Sequence, residues 1–315
     1  MVNHIGKQHT KSLSRRIAEH WQLYLFLLIP VVYLIIFHYW PMVGAQIAFR
    51  KFKIKDGIWG SQWVGLDQFE KFFSSFYFER VLTNTLTLSF YSLFVGFPLP
   101  IIFALLLNSM RNGRVRKLAQ TVTYMPHFIS TVTLVGIITQ VLNPRFGIFA
   151  QLYTTLMGSG VEVPNLLLSS EAFPHLYVWS GVWQSLGWNT VIYTAALASV
   201  DLSLHEAATI DGASRIQRIR YVDFPAIVPT ISIMLILRFG NIMGIGFDKT
   251  YLLQQSTNLS TSEVISTYVY KMAFGQGNMN YSYAAAIDLF NSVIGLIMLT
   301  ITNMLSRKIS STSLW

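Results

Sequence analysis

Residues 205–230 read HEAATIDGASRIQRIRYVDFPAIVPT, a charged segment between two apolar stretches of membrane length. The triplet Glu206, Ala207 and Ala208 begins a predicted short helix, and its small alanines allow the surface of another protein to approach the backbone. Gly212 can adopt the positive φ that ends a helix and turns the chain. The segment therefore predicts a docking surface for a soluble protein beneath a membrane domain.

The run that follows this turn is basic and amphipathic, and it leads into an apolar stretch. Pro225 suits the first turn of a helix there, because proline lacks an amide hydrogen that the first turn leaves unpaired in any case. The basic residues of the run are Arg215, Arg218 and Arg220.

The composition of the whole chain is that of a membrane protein. Of its 315 residues, 52% are hydrophobic and only 12% are charged, whereas a soluble domain of this size needs a more polar surface. Crossing a bilayer takes about 20 apolar helical residues. Six stretches meet that length, near residues 22–40, 83–107, 122–142, 174–198, 225–246 and 284–305. The prediction is an all-α, polytopic membrane protein with six transmembrane helices.

The charge pattern orients this membrane domain. Cytoplasmic flanks retain Lys and Arg, and four segments on one predicted side are basic, so both termini are expected in the cytoplasm. The net charge of +9 reflects this topology rather than nucleic-acid binding, since no basic module is interleaved with aromatic residues. The predicted divisions are an N-terminal tail at 1–21, a membrane domain at 22–305, an outer loop at 41–82, a cytoplasmic loop at 199–224 and a C-terminal tail at 306–315.

The outer loop at 41–82 is an exception to the charge pattern, because it is also basic. Long loops cross the membrane with less regard to charge. Its Lys and Arg residues could meet a binding protein, an acidic sugar or lipid headgroups, and the sequence leaves all three open.

The segment at 205–230 resembles the EAA motif of permease subunits of binding-protein-dependent ABC importers. The motif runs EAA, two residues, DGA, and then a spacer to two prolines. The matching residues are Glu206, Ala207, Ala208, Asp211, Gly212, Ala213, Pro225 and Pro229. In that family the motif forms the coupling helix that enters a cleft on the ATP-hydrolysing subunit, so the resemblance implies the type I importer permease fold and assigns ATPase coupling to Glu206–Ala213.

Further runs are similar to the sugar-permease branch, above all to the first permease of importers for complex oligosaccharides and polysaccharide fragments. These runs are FPLP from Phe97, MPHFIS from Met125, NPRFG from Asn143, GFDKTYLL from Gly246 and the closing SLW at 313–315. The resemblance implies a carbohydrate substrate and a place in the bacterial cytoplasmic membrane. The implied partners are a second, related permease, two ATP-binding subunits and an extracytoplasmic solute-binding protein.

The chain has no phosphate-binding P-loop of its own, because the single Gly-Lys pair, Gly6-Lys7, is followed by Gln8. ATP and Mg²⁺ are therefore expected on the partner ATPase, with no cofactor or metal in this chain. No catalytic constellation is evident either, which predicts a translocase component rather than an enzyme.

Polar residues inside the predicted spans are candidates for the substrate path, because charges at membrane depth face protein or water. Arg238 and Asn241 lie one turn apart in the fifth span, and Asp288 and Asn291 in the sixth. The competing interpretation is an Arg238–Asp288 ion pair, or hydrogen bonds between helices, that only holds the bundle together.

The fourth span offers a second set of candidates. Aromatic faces cover the C–H surfaces of sugars and amides bond their hydroxyls, but aromatic residues near a membrane interface also serve as anchors. The candidates are Trp183, Gln184, Trp188, Asn189 and Tyr193.

Two other functional classes stay open on the sequence alone. An ion-coupled secondary transporter of a small polar solute would use Asp288 as its ion site, but it leaves the exposed segment at 205–230 without a role. A membrane-bound enzyme would need a nucleophile, metal or acid–base constellation, and none converges in this sequence.

Overall fold

The computed structural model of this chain describes residues 19–158, 160–275 and 279–310, and the side chains of 308–310 are outside the description. Most of the N-terminal tail and the closing residues of the C-terminal tail therefore lie outside the described part. What is described is a helical bundle with one small hairpin of strands, in agreement with the predicted membrane fold.

The structure confirms a helix over the apolar stretch predicted near 22–40. Helix α1 (Trp21–Leu34) continues through a π-helical turn into the short α2 (Trp40–Met42) and a 3-10 helix at Val43–Phe49. No residue from Trp21 to Met42 is buried within the chain. The 3-10 helix, in contrast, packs against the last helix of the bundle.

The segment predicted to be an outer loop contains strands and helices. Strand β1 (Arg50–Lys53) pairs antiparallel with β2 (Ser61–Trp63), with the single-turn α3 (Gly57–Gly60) between them. Helix α4 (Asp67–Phe73) follows. The next helix begins at Phe76, inside the predicted outer loop at 41–82, and Ser75 caps it by accepting the amide hydrogen of Tyr77. The bounds of the outer loop stay a prediction.

The second span is formed by α5 (Phe76–Gly96) and α6 (Pro98–Ser109), which together make one apolar helix of 34 residues. Phe97 separates the two where the first proline removes an amide donor. The span is longer than the predicted 83–107.

The third predicted span, 122–142, is not one continuous helix. Helix α7 (Gly113–Tyr124) and the 3-10 turn after it meet α8 (Thr131–Val141) at a bend of 100°. Pro126 lies in the turn, and Ser130 starts α8 afresh by accepting the amide hydrogen of Thr133. The sequence prediction ran through this corner because both sides of it are apolar.

The fourth span is the centre of the bundle. After α9 (Ile148–Met157), the 27-residue α10 (Ala172–Ala198) packs against α5, α6 and α7 and against the fifth span. It matches the prediction at 174–198 in length, but its polar residues keep it from being apolar enough to count as a membrane span by composition.

The segment predicted to be cytoplasmic consists of α11 (Leu202–Ile210), a turn and α12 (Arg215–Arg218). α12 passes without a break through a π-helical turn into α13 (Phe224–Gly240), so the fifth helix runs from Arg215 to Gly240 rather than over the predicted 225–246. Pro225 cannot donate to the carbonyl four residues earlier, and the helix widens there, with the amide of Phe224 donating to Ile219.

Three short helices precede the last span: α14 (Phe247–Leu253), α15 (Leu259–Ser262) and α16 (Ile265–Phe274). The last span, α17 (Tyr281–Ser310), packs against α13 and α16. Within the described residues, four helices are long and apolar enough to cross a membrane, or five if the bent pair is one span. The total of six stays a prediction.

Candidate functional site

The turn after α11 has the geometry that the sequence predicts. Gly212 has a φ of 75°, in the left-handed region where glycine is favoured. The amide of Ala213 donates to the carbonyl of Ala208 at 2.9 Å, and that of Gly212 donates to Thr209 at 3.1 Å. These two bonds form a Schellman motif, which satisfies the last carbonyls of the helix.

Local hydrogen bonds also fix both ends of this segment. Asp201 caps α11 by accepting the amide hydrogen of Ser203 at 2.9 Å. Ser214 and Gln217 form a reciprocal capping box at the start of α12. Residues 201–218, called the coupling segment from here on, therefore hold their shape largely by bonds between near neighbours in the chain.

The coupling segment presents an exposed surface. No residue of α11 is buried, and the apolar side chains of Ile210 and Ile216 are 86% and 77% exposed. Glu206 and Asp211 have no side-chain partner among the described residues. A shallow depression of about 480 Å³ is lined by Leu202, His205, Glu206, Thr209, Ile210 and Arg218. Apolar side chains at a charged rim are typical of a protein-docking surface.

A buried carboxylate joins the coupling segment to the membrane helices. Oδ1 of Asp223 lies 3.3 Å from Nε2 of His205 and accepts a hydrogen bond from Nδ2 of Asn108 on α6 at 3.1 Å. Arg218 donates to the hydroxyl of Thr209 at 3.2 Å. Through Asp223, α11 is thus bonded to both the second and the fifth span. The sequence analysis did not predict these contacts, because Asn108, His205 and Asp223 are far apart in the chain.

A cavity of about 410 Å³ opens among α5, α10, the end of α13 and α14. Its lining is mainly polar or small. The polar side chains belong to Ser89, Ser92, Thr131, Tyr177, Gln184, Ser185, Asn189, Arg238, Asn241, Asp248 and Lys249. Hydroxyls, amides and charges facing one space at membrane depth can bind a hydrated, polar solute.

Four of the predicted path residues line this cavity. Gln184 and Asn189 come from α10, while Arg238 and Asn241 come from the end of α13. Gln184 is held by a hydrogen bond of 2.8 Å to the carbonyl of Ile129. Two separate sequence patterns are therefore brought together by the packing of α10 on α13.

The other predicted path residues lie outside the cavity. Trp183 and Trp188 have about half of their surface exposed, at 50% and 49%, and Trp188 stacks on His127 with the ring centroids 4.4 Å apart. Tyr193 is buried in the apolar core between α6, α10 and α13. Asp288 and Asn291 on α17 are not part of the lining either, and their role in a substrate path stays a prediction.

The alternative ion pair between Arg238 and Asp288 is not formed. Both residues are described, and no salt bridge joins them. Arg238 faces the cavity, whereas Asp288 is exposed on α17. The prediction of a pair was wrong because spacing along two helices does not reveal which faces of them meet.

Lys249 is the charged cavity residue that sequence reasoning missed. It is only 9% exposed, its ammonium group donates to the carbonyl of Tyr177, and Nζ lies 4.5 Å from the centre of that ring. Burial lowers the pKa of Lys249 to about 8. The signal was the Asp248-Lys249 pair inside the run GFDKTYLL, which the sequence analysis used only for the resemblance to the sugar-permease branch.

Two arginines of the basic outer segment have partners within the chain. Arg80 forms an ion pair with Glu263, which also binds Lys271 at 3.3 Å. Arg50 donates to the carbonyl of Ser61 at 2.9 Å and lies over the ring of Trp63. These contacts show that both charges have partners within the described residues.

Known proteins share this arrangement. The family described as binding-protein-dependent transport system inner membrane component matches residues 96–311. Protein LplB of Bacillus subtilis is 39% identical over 297 residues, covering 94% of this chain and 92% of LplB. The polygalacturonan/rhamnogalacturonan transport system permease protein YteP of the same organism is 38% identical over 302 residues, covering 96% of this chain and 92% of YteP.

A solved structure has the same fold over nearly the whole chain. A chain of a bacterial alginate ABC transporter, in complex with an alginate pentasaccharide-bound periplasmic protein, superposes with a TM-score of 0.87 at 36% identity. The match covers 96% of this chain and 99% of that one.

Proposed function

Because the chain belongs to the family of binding-protein-dependent transport system inner membrane components, we propose that it is the permease that passes an oligosaccharide or polysaccharide fragment into the cytoplasm. Membership makes it a multi-pass membrane permease of an ABC importer. The substrate is received from an extracytoplasmic solute-binding protein, and this subunit serves as the translocase component, with ATP hydrolysed by a separate subunit.

The coupling segment is the observation that carries the proposal. It is exposed, its shape is fixed by local bonds, and Asp223 bonds it to two membrane helices. A secondary transporter does not bind an ATPase, so this exposed surface would have no role in it. We assign contact with the ATPase to Glu206, Ala207, Ala208, Asp211, Gly212 and Ala213. ATP and Mg²⁺ would be held by that subunit, and this chain carries no cofactor.

A carbohydrate substrate is supported by the relatives and by the cavity. The similar proteins include a permease for polygalacturonan and rhamnogalacturonan and a transporter for alginate. The cavity adds hydroxyls and amides from three helices, which suit the many donors and acceptors of a sugar.

A second permease is supported by the surface of α17. Asp288 is exposed there, inside an apolar helix, and accepts no hydrogen bond from any described residue. A carboxylate at membrane depth is costly against lipid, so this face would meet a related permease or the aqueous path between the two. Two ATP-binding subunits complete the proposed importer, with both termini of this chain in the cytoplasm.

Transport would proceed by alternating access. Closure of the ATPase pair displaces α11, and the contacts of Asp223 pass the displacement to α6 and α13. α6 continues α5 in one span, and α5, α10 and the end of α13 line the cavity. The helices then rock between states open to either side of the membrane. No covalent step involves this chain.

Co-purification from membranes tests the proposal. A tag on this chain should recover an ATPase, a second permease and a solute-binding protein. Glu206→Lys reverses a charge that has no partner among the described residues. It should lower recovery of the ATPase at least about tenfold, as expected for the loss of about 1.4 kcal/mol at an interface, while the other subunits stay bound.

Glu162→Lys is the matched control, because Glu162 is also exposed and has no salt bridge to a described residue, but lies in the segment between α9 and α10. It should leave ATPase recovery unchanged. Recovery of this chain alone, together with uptake driven by an ion gradient without ATP, would replace the proposal with a secondary transporter that uses Asp288.

A further inference from the structure

The cavity contains more positive charge than its own groups balance. Arg238 and Lys249 are cationic and Asp248 is anionic, which leaves a formal excess of one positive charge. Among the described residues neither cation lies within ion-pair distance of a carboxylate. The excess therefore faces the space in which a solute would pass.

Lys249 is the more deeply buried of the two cations. A buried ammonium group is costly unless a negative group or several hydrogen bonds compensate it. Among the described residues, the partners of Nζ are one carbonyl and one aromatic ring, both from Tyr177. The carbonyl and the ring offset part of the cost of burial, and a negative group from outside the chain would offset the rest.

Arg238 contributes a different geometry. It donates no hydrogen bond to any described residue, so its planar guanidinium group is free to bind two oxygens of one carboxylate. Neutral groups surround the two cations, among them Gln184, Asn189 and Asn241, which can bond hydroxyl groups.

We propose that this cavity binds the carboxylate of an acidic sugar, with Lys249 and Arg238 supplying the positive charge and the surrounding amides and hydroxyls binding the ring hydroxyls. A uronic acid carries one negative charge per residue, which equals the excess in the cavity. A neutral sugar can accept hydrogen bonds from the two cations, but it does not neutralise the excess charge. The inference rests on the proposed function, whose substrate class it narrows from carbohydrate to acidic carbohydrate.

The test uses the complete importer in proteoliposomes and two probes of equal length. Tetragalacturonate carries a carboxylate on each residue, and its fully methyl-esterified form is neutral. Uptake of each probe is measured for the unaltered importer, for Lys249→Met and for Arg238→Gln. The binding protein is the same throughout, so its own preference cancels when each variant is compared with the unaltered importer on one probe.

Either substitution should lower uptake of tetragalacturonate about tenfold or more, the effect of one lost charged hydrogen bond. Uptake of the methyl ester should change by less than about twofold. Lys271→Met is the matched control, since Lys271 is a half-exposed cation outside the cavity. It should leave uptake of both probes unchanged.

Arg238→Gln keeps the inference testable if the buried Lys249 proves necessary for folding, because Arg238 makes no hydrogen bond to a described residue that its replacement would break. Equal losses on both probes, or no loss on either, would overturn the acidic-sugar site while leaving an ATP-driven sugar importer in place. Uptake of neither probe by the unaltered importer, with ATP present, would also count against the acidic-sugar site, whereas failure of the proposed function itself would appear in the co-purification experiment.

Discussion

The coupling segment and the cavity hold their shapes in opposite ways. In the coupling segment, caps and the Schellman turn join residues no more than five positions apart. The cavity has walls from α5, α10, α13 and α14, which distant parts of the chain bring together. A change in the first should therefore alter docking more than folding, whereas a change in the walls of the second should alter folding and substrate together.

Gly187 offers the strongest test of this contrast. It lies on α10, where a Cβ atom would stand 2.3 Å from the carbonyl oxygen of Thr123 on α7. Gly187→Ala forces the two helices apart, so we expect a loss of about 3 kcal/mol in the free energy of unfolding. Thermal unfolding of the purified chain in detergent measures it.

Gly136 on α8 is the matched control, because a Cβ atom there meets nothing within 4 Å. Gly136→Ala should stabilise its helix slightly, by less than about 1 kcal/mol. If Gly187→Ala unfolded at the same temperature as Gly136→Ala, then the bundle would not depend on close helix contacts around the cavity.

Features fixed by near neighbours in the chain could be predicted from the sequence, whereas features fixed by distant contacts could not. The turn at Gly212 was predictable because its glycine and its spacing are read within ten residues. Arg238 and Asn241 were predictable as polar groups at membrane depth, but their partners were not. Lys249 was missed because nothing in its own neighbourhood shows that α14 packs against α10, and the 100° bend before Thr131 was missed because composition does not change across it.

Asp223 connects the coupling segment to the membrane helices, so its removal should affect both the stability of the fold and the response to the ATPase. Asp223→Ala leaves Asn108 and His205 without their common partner in a buried place. We expect a cost of about 2 kcal/mol in unfolding free energy, and ATP hydrolysis that no longer responds to loaded binding protein. ATPase assays with and without binding protein, on the assembled importer, measure the second effect.

Asp223→Asn serves as the conservative variant, since an amide oxygen can still accept the hydrogen bond from Asn108. It should recover most of the stability. Normal stimulation of ATP hydrolysis in Asp223→Ala would show that movement of α11 reaches the membrane helices by another route.

We expect the buried charge of Lys249 to lower the free energy of unfolding of the chain. Its pKa is about 8, below the ordinary value of 10.5, so the folded chain binds its proton less tightly than the unfolded chain does. The cost of the buried charge is full below pH 8 and declines as pH rises towards 10.5. Lys249→Met should therefore raise the stability of the chain by about 2 kcal/mol at pH 7.5.

The pH dependence separates this effect from simple repacking. The advantage of Lys249→Met should shrink steadily between pH 8 and pH 10, measured by thermal unfolding in detergent. Tyr177, Arg238 and Asp248 also line the cavity and are present in both proteins. An advantage that did not change with pH would assign the gain to packing of the methionine side chain.

The smallest effect is expected at Gly212, where the coupling segment can be altered without touching the membrane domain. A Cβ atom there meets nothing within 4 Å, so Gly212→Ala disturbs only the backbone, whose φ of 75° is unfavourable for alanine. We expect a local backbone strain of about 1 kcal/mol and about fivefold weaker binding of the ATPase. The unfolding temperature should stay close to that of the unaltered chain. Gly212→Asn should lose less, because asparagine tolerates left-handed backbone better than alanine does. Equal losses for alanine and asparagine would mean that the side chain obstructs the ATPase directly, and the backbone of the turn would then not be what the glycine preserves.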